Sequence, residues 1–273
     1  MRSVAAIPLA GLTLLAFGCR PPLPDAPTEL DDLAHFFFDE MDNDDPSLVG
    51  AGAENLDRWF DTTDEVEDGW ATGGVSDLST AQVDSLEAMT WDPDPTLAVG
   101  VYIATVVDCS LARVVEITLE PDQLTLFPGN YDSYERTFDS DPDCFPDGGC
   151  DQVDWHSELE DSIVGLAMSY GLVTRFRRFG YEDAEGEATQ VLLARNVMPA
   201  AAEENVTAGG FEQSYHIEVF VPRGAGQTLH LYALWNHGFL DGVSEEAPFW
   251  ENQYKDGLVE WDERIQELCT EAL

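Results

Sequence analysis

Positive charge is almost missing from this chain. Lys and Arg together number 12 against 54 Asp and Glu, Lys255 is the one lysine, and the formal net charge is −42 at pH 7. The acids are spread over the whole length and not gathered in one tail. Such a surface repels the phosphates of nucleic acid and anionic headgroups. DNA and RNA are therefore excluded as partners, and so is attachment to a membrane through a basic patch. The charge reads either as cation binding or as a solvated, salt-tolerant surface, and the second reading is preferred.

Recognisable catalytic signatures are missing too. There is no G-x-S-x-G elbow, no H-E-x-x-H, no P-loop and no G-x-G-x-x-G. Gly224-Ala225-Gly226 is followed by Gln-Thr-Leu and reads as a turn. No catalytic residue, metal or cofactor is expected, and the chain reads as non-enzymatic. With 44% hydrophobic residues it is nevertheless no disordered acidic tail.

Only the first residues form an apolar run without charge. Arg2 supplies a basic start, residues 4–17 are apolar, and Gly18 precedes Cys19. The run is shorter than the roughly 20 residues a spanning helix needs, so it reads as an export signal. Cys19 after a small residue resembles the lipobox of bacterial lipoproteins, although Ala16 stands where that family usually has an aliphatic residue. The alternative is an ordinary secretory signal cut nearby. The resemblance implies removal of residues 1–18 and acyl chains on Cys19 as the membrane partner, which is enough for stable anchoring. Arg20 is not the Asp that retains such proteins at the inner membrane in enteric bacteria, so the resemblance implies the outer membrane of a bacterial envelope. Residues 19–27 then hold four prolines and read as a short, semi-rigid tether.

Residues 28–95 read as an acidic, partly helical region. Thr28 is expected to cap a helix with Leu30, Leu33, Phe37 and Met41 on one face. A weaker helix follows over 46–60, packing through Leu48, Leu56, Trp59 and Phe60. Residues 61–95 are turn-rich, with a short helix over 79–89.

Residues 96–273 read as an α+β domain with an antiparallel sheet of about six strands and a long C-terminal helix, preceded by N-terminal helices. Period-two or β-branched runs predict strands over 97–107, 113–119, 131–138, 163–179 (broken near Gly165 or Gly171) and 189–197. The clearest hairpin joins 215–221 to 228–235. Pairing its apolar faces puts Val219 opposite Leu229 and Ile217 opposite Leu231, with Glu218 opposite His230 and His216 opposite Tyr232. Trp250, Tyr254, Leu258, Trp261, Ile265 and Leu268 make the apolar stripe of the last helix, where Gly257 is expected to allow close approach to the sheet.

A meander of strands closed by a long helix is similar in element order to the helix-grip (START-like) folds that bind lipids and small molecules. The resemblance covers residues 97–273. The helix pair usual after the first strand is missing, or replaced by the helices before Leu97.

Besides Cys19, four cysteines remain in an exported chain, and two disulfides are expected, with three possible pairings. Cys144 and Cys150 bracket a turn-rich loop suited to a local bridge. Cys109 and Cys269 would then join the first strand region to the end of the last helix. A zinc site is the lesser alternative. Asp139, Asp141, Asp143, Asp147, Asp151 and Asp154 around this loop suggest calcium. However, Cys144 stands where an EF-hand needs Gly and Cys150 where it needs Glu, so a solvated, stapled loop is preferred.

Two further clusters stand out. His216, Glu218 and His230 share one hairpin face, either as a catalytic or metal cluster or, preferred, as a polar cross-strand group facing a surface or cavity. Arg175, Arg177 and Arg178 could hold an anion, but pairing with nearby carboxylates is preferred. Three functions remain open: a lipid-anchored binding or structural protein with no identified partner, a binder of a small apolar ligand between sheet and C-terminal helix, and a hydrolase with an unrecognised site. The first is favoured.

Overall fold

The computed structural model describes residues 24–163, 166–204, 209–224, 226–240 and 247–271; the leader, Cys19 and the start of the tether lie outside them. Two helices open the chain, α1 (Leu30–Glu40) and α2 (Pro46–Thr62). Leu33, Phe37 and Phe38 repeat at helical spacing and are buried. Thr28 does not cap α1: Glu29 holds the N-cap without a side-chain bond. Asp31 instead accepts bonds from the Ser76 backbone N–H and hydroxyl, at 2.6 and 2.7 Å, and ties α1 to the first strand. Asp45 caps α2 by accepting from the Ser47 N–H, and Pro46 suits the first turn. Gly50 lets α2 lie against Tyr181, whose ring would sit 2.3 Å from any added Cβ.

The remaining elements are β1 (Trp70–Val75), α3 (Thr80–Asp84), β2 (Val99–Val107), α4 (Leu111–Leu119), α5 (Gln123–Leu126), β3 (Ser133–Phe138), β4 (Gln152–Ile163), β5 (Leu166–Glu182), β6 (Ala188–Val197), β7 (Glu203–Glu204), β8 (Gly209–Arg223), β9 (Gln227–Leu240) and α6 (Ala247–Thr270). Eight strands run in the order β1-β2-β9-β8-β6-β5-β4-β3, and β7 pairs with β5. Every pairing is antiparallel. The fold is the expected α+β sheet with a C-terminal helix, but the sheet is larger than six strands. Two of its strands, β1 and β4, lie outside the runs read as strands. Glycines dilute β1, whereas in β4 Val153, Trp155 and Leu159 alternate with Asp154, His156 and Glu158 and are buried, a period-two signal that the reading passed over. The break expected near Gly165 falls at residues 164–165, outside the described residues, while β5 runs on through Gly171.

The run 113–119 is a helix and not a strand. The Ser110 hydroxyl accepts from the Arg113 N–H and starts α4, and Arg113 pairs with Glu116 at 3.0 Å. Arg113 also donates to the Leu268 and Glu271 carbonyls at the end of α6. Burial of Leu111, Val114 and Val115 on one helical face outweighs the strand preference of the β-branched residues. The helix pair thought missing after the first long strand is therefore present, as α4 and α5.

The β8–β9 hairpin keeps its expected faces, but its register is displaced by two residues. Val219 pairs with Leu231, Ile217 with Ala233 and Glu218 with Tyr232, while His230 lies opposite Phe220 and His216 opposite Leu234. Arg223 pairs with Gln227 across a tight turn with Gly224 at φ 68°, so the strands run closer to the turn than the polar loop residues suggest.

Alternation along the strands makes three layers. One face, through Tyr215, Ile217, Val219, Leu231 and Trp235, packs on α1, α2 and α3. The other face meets α4, α5 and α6. Both expected disulfides form. Cys144–Cys150 closes the acidic loop, and Cys109–Cys269 fastens the end of α6 to the corner between β2 and α4.

Candidate functional site

Helix α6 does not seal the sheet face it covers. Trp250, Tyr254 and Leu258 are buried against that face beside Phe211 and Leu234. Around them lies a cavity of about 360 Å³ walled by Tyr232, Trp250, Tyr254, Leu258 and Trp261. Gly257 does not bring helix and sheet together as expected. Nothing lies within 4 Å of the place its Cβ would take, and it forms part of the cavity wall. A second, smaller cavity of about 90 Å³ lies beside it and shares Tyr232 and Trp261 with the first. Trp261 is held by stacking on Phe127, with ring centroids 3.9 Å apart. Its indole N–H is buried and has no hydrogen-bond partner among the described residues.

The floor of the smaller cavity is polar. Strand alternation aims Ser157, Thr174, Asn196, His216, Glu218 and Tyr232 at it from successive strands. The Thr174 hydroxyl donates to Asn196 Oδ1 at 2.6 Å, and Asn196 Nδ2 reaches Glu218 Oε1 at 3.4 Å. Arg136 closes one side and stacks over Trp155, 4.6 Å from the ring centroid. Its guanidinium donates to the Tyr134 hydroxyl and to the Thr118 and Glu120 carbonyls.

The histidine cluster expected from the hairpin is real and larger than expected. His230 is fully buried, lies 2.7 Å from Asp262 on α6, and has Glu218 at 3.4 Å on its other side. It stacks on Phe220 at 4.4 Å between centroids. Burial alone would lower the His230 pKa, but the charge and hydrogen bond of Asp262, helped by Glu218, hold it up at about 9. His230 is thus an imidazolium at neutral pH, sandwiched between carboxylates.

His216 behaves in the opposite way. It sits between Ser214 Oγ at 2.7 Å and the Tyr232 hydroxyl at 3.0 Å. Burial without a carboxylate partner pushes its pKa down to about 3, so it is neutral and can donate through one nitrogen and accept through the other.

Asp262 is the site residue that the sequence reading missed. It falls four residues after Leu258, in the middle of the apolar stripe, and a charged side chain on such a stripe is the signal that marks a buried partner.

The other expected clusters lie elsewhere. Arg175 pairs with Asp42 and Asp154, and Arg177 with Asp44, so both tie β5 to the loop between α1 and α2 or to β4. Arg178 donates to the Phe145 carbonyl and lies over that ring. In the acidic loop, Asp141 caps the turn over Pro142–Cys144, and Asp139 pairs with His156 at 3.0 Å. Among the described residues no group of three or more His, Cys, Asp or Glu could hold a metal ion. None of the helices among them is long and apolar enough to cross a membrane.

No protein-family model matches the chain, and no curated protein does. Solved structures are similar in fold. A STAR-related lipid transfer protein fragment from Xanthomonas axonopodis is 8% identical, with a TM-score of 0.47 over 76% of this chain and 96% of that one. Human StAR-related lipid transfer protein 5 is 8% identical, with a TM-score of 0.42 over 82% and 96%. A START superfamily protein from Mycobacterium smegmatis is 14% identical, with a TM-score of 0.40 over 62% and 96%. These neighbours are of the START-like kind that the element order resembles, and the cavity itself carries the functional reading.

Proposed function

We propose that this chain binds a small, largely apolar molecule between its sheet and α6, on a domain tethered to the bacterial outer membrane through acylated Cys19. The aromatic-walled cavity of about 360 Å³ beneath α6 carries this reading. The cavity is half open to solvent along α6, and its size falls in the range of ligand pockets. Gly257, exposed on α6, adds no side chain to its rim. The Tyr232 and Trp261 side chains, shared with the smaller polar cavity beside it, add polar atoms to its wall. Binding, without chemistry on the ligand, is the role proposed.

Titration with the neutral apolar dye N-phenyl-1-naphthylamine tests this directly. Saturable binding near one dye per chain is expected, with energy transfer from the tryptophans that wall the cavity. Absence of saturable binding up to about 100 µM dye, a weak-affinity ceiling, sinks the reading.

A further inference from the structure

The sheet ends on one side at β1, and that edge is left open over a short stretch. Strand β1 stands first in the sheet order and pairs only with β2. Successive residues of a strand turn their backbone N–H and C=O groups to opposite sides. Trp70 turns its groups away from β2. It donates to the Glu67 carbonyl at 3.0 Å and accepts from the Glu67 N–H at 2.8 Å, across a tight turn in which Asp68 and Gly69 have positive φ. Thr72 and Gly74 therefore face outward as well. Just past the strand, the Ser76 N–H is taken by Asp31, and the Ser76 carbonyl accepts from the Trp235 indole at 2.8 Å. Between these two closures the outward backbone groups of Thr72 and Gly74 have no hydrogen-bond partner among the described residues, and both residues are exposed.

This stretch forms one side of an open groove of about 700 Å³. Glu29, Asp31, Glu65 and Glu67 stand along the groove, and no Lys, Arg or His lines it. Glu65 is held by accepting from the Tyr102 hydroxyl at 2.6 Å, and the Tyr102 ring lies over Gly73, 2.5 Å from any added Cβ. Two cationic groups come near. Lys255 is matched by Glu251, which lies beside Gly74, and His35 bonds to Ser76. Even a charged His35 leaves the four carboxylates in excess. Open sheet edges invite a further strand, and charge selects which one. The same edge of a second copy would bring like charges together, whereas a cationic strand is attracted.

We propose that β1 docks an extended segment of a partner protein, bearing lysine or arginine, as an added strand. Thr72 and Gly74 pair with its backbone, and the four carboxylates receive its side chains. The cavity under α6 takes no part, so this proposal and the binding role above fail independently.

The test is calorimetric titration of the purified protein with the peptide acetyl-(Lys-Thr)4-amide at about 0.15 M salt. Its threonines favour a strand, and it has no large apolar side chain to enter the α6 cavity. Spermine, of equal charge and without peptide groups, is the control. Saturable binding near one peptide per chain is expected, about tenfold or more tighter than spermine. Thr72→Pro removes an outward N–H and keeps the bonds to β2. Peptide affinity should then fall about tenfold, with spermine affinity and melting temperature retained. Glu65→Gln combined with Glu67→Gln should weaken the peptide about threefold or more. Spermine binding as tightly as the peptide overturns the proposal in the unmodified protein, whether or not a variant folds. No saturable peptide binding up to about 1 mM, a very weak affinity, overturns it as well. So does full peptide affinity in folded Thr72→Pro or in the folded double variant. Self-association that Thr72→Pro abolishes would give the edge to a second copy and overturn it too.

Discussion

His216, on the floor of the smaller cavity, and His230, buried beside it, have been driven to opposite protonation states by their immediate neighbours. His230 has two carboxylates and stays charged, while His216 has hydroxyls and stays neutral. Linkage turns this into a pH dependence of stability. A free histidine titrates near about 6.5. His230, with a folded pKa of about 9, binds its proton more tightly folded than unfolded. Its contribution is full below about pH 6.5 and is lost as pH rises through 9. His216, at about 3, contributes above about pH 6.5 and loses that contribution as pH falls toward 3. Urea unfolding between pH 6.5 and 9 should therefore show stability declining by up to about 1.4 kcal/mol per pH unit. His230→Gln should flatten that alkaline decline, even though it starts from lower stability. An unchanged slope in the variant would mean that His230 is not the charged partner of Asp262. The sequence had made His216, Glu218 and His230 legible, because period-two alternation fixes which residues share a face. It did not reveal Asp262, because helical periodicity was read for apolar residues only, and the exception on the stripe was the informative one.

At the scale of elements, the two main misreadings have one cause: tertiary contacts decided what local preference left ambiguous. Residues 113–119 carry the β-branched composition of a strand, yet Ser110, the Arg113 bonds to the end of α6 and the Cys109–Cys269 bridge hold a helix there. The β8–β9 register slipped by two because apolar alternation is unchanged by a two-residue shift, so the faces were legible and the pairing was not. Helix α6 was legible in full, but the meaning of Gly257 was reversed. Glycine in a helix interior costs about 1 kcal/mol relative to Ala, and here it borders open space. Gly257→Leu should therefore separate stability from binding. It fills the cavity wall and raises helix propensity, so the protein should be more stable by roughly 0.5–1 kcal/mol. Dye affinity should fall by about tenfold or more, as expected when a side chain occupies the ligand's space. Thermal melts and the dye titration on one preparation measure both. A variant that gains stability and keeps full affinity would show that the space beside Gly257 is not where the dye sits.

The whole molecule combines an open-sided cavity under α6 with a strongly acidic surface. The sheet is covered on both faces, by α1 to α3 on one side and α4 to α6 on the other. The cationic side chains along β5 and β6 are paired with Asp42, Asp44 and Asp154, and Arg195 and Arg175 together hold the Asp42 carboxyl below its ordinary range despite its partial burial. With a formal charge of −42, the protein has little electrostatic attraction to anionic headgroups. The tether proposed above therefore places membrane attachment on acyl chains at Cys19 and not on the surface charge. The other four cysteines are joined to one another, so the assignment of roles among the five is chemically consistent. Cys19→Ala, expressed with its leader in a bacterial host, should move the protein from the membrane fraction to the soluble fraction while its melting temperature and dye affinity stay the same. The cavity and both disulfides are remote in sequence from the change, and removal of acyl chains takes away nearly all the membrane affinity that about 0.8 kcal/mol per buried methylene provides. Tight membrane association surviving both Cys19→Ala and a high-salt wash would mean that the domain itself binds lipid, with α6 or the cavity mouth as the contact, and would remove the tether from the account.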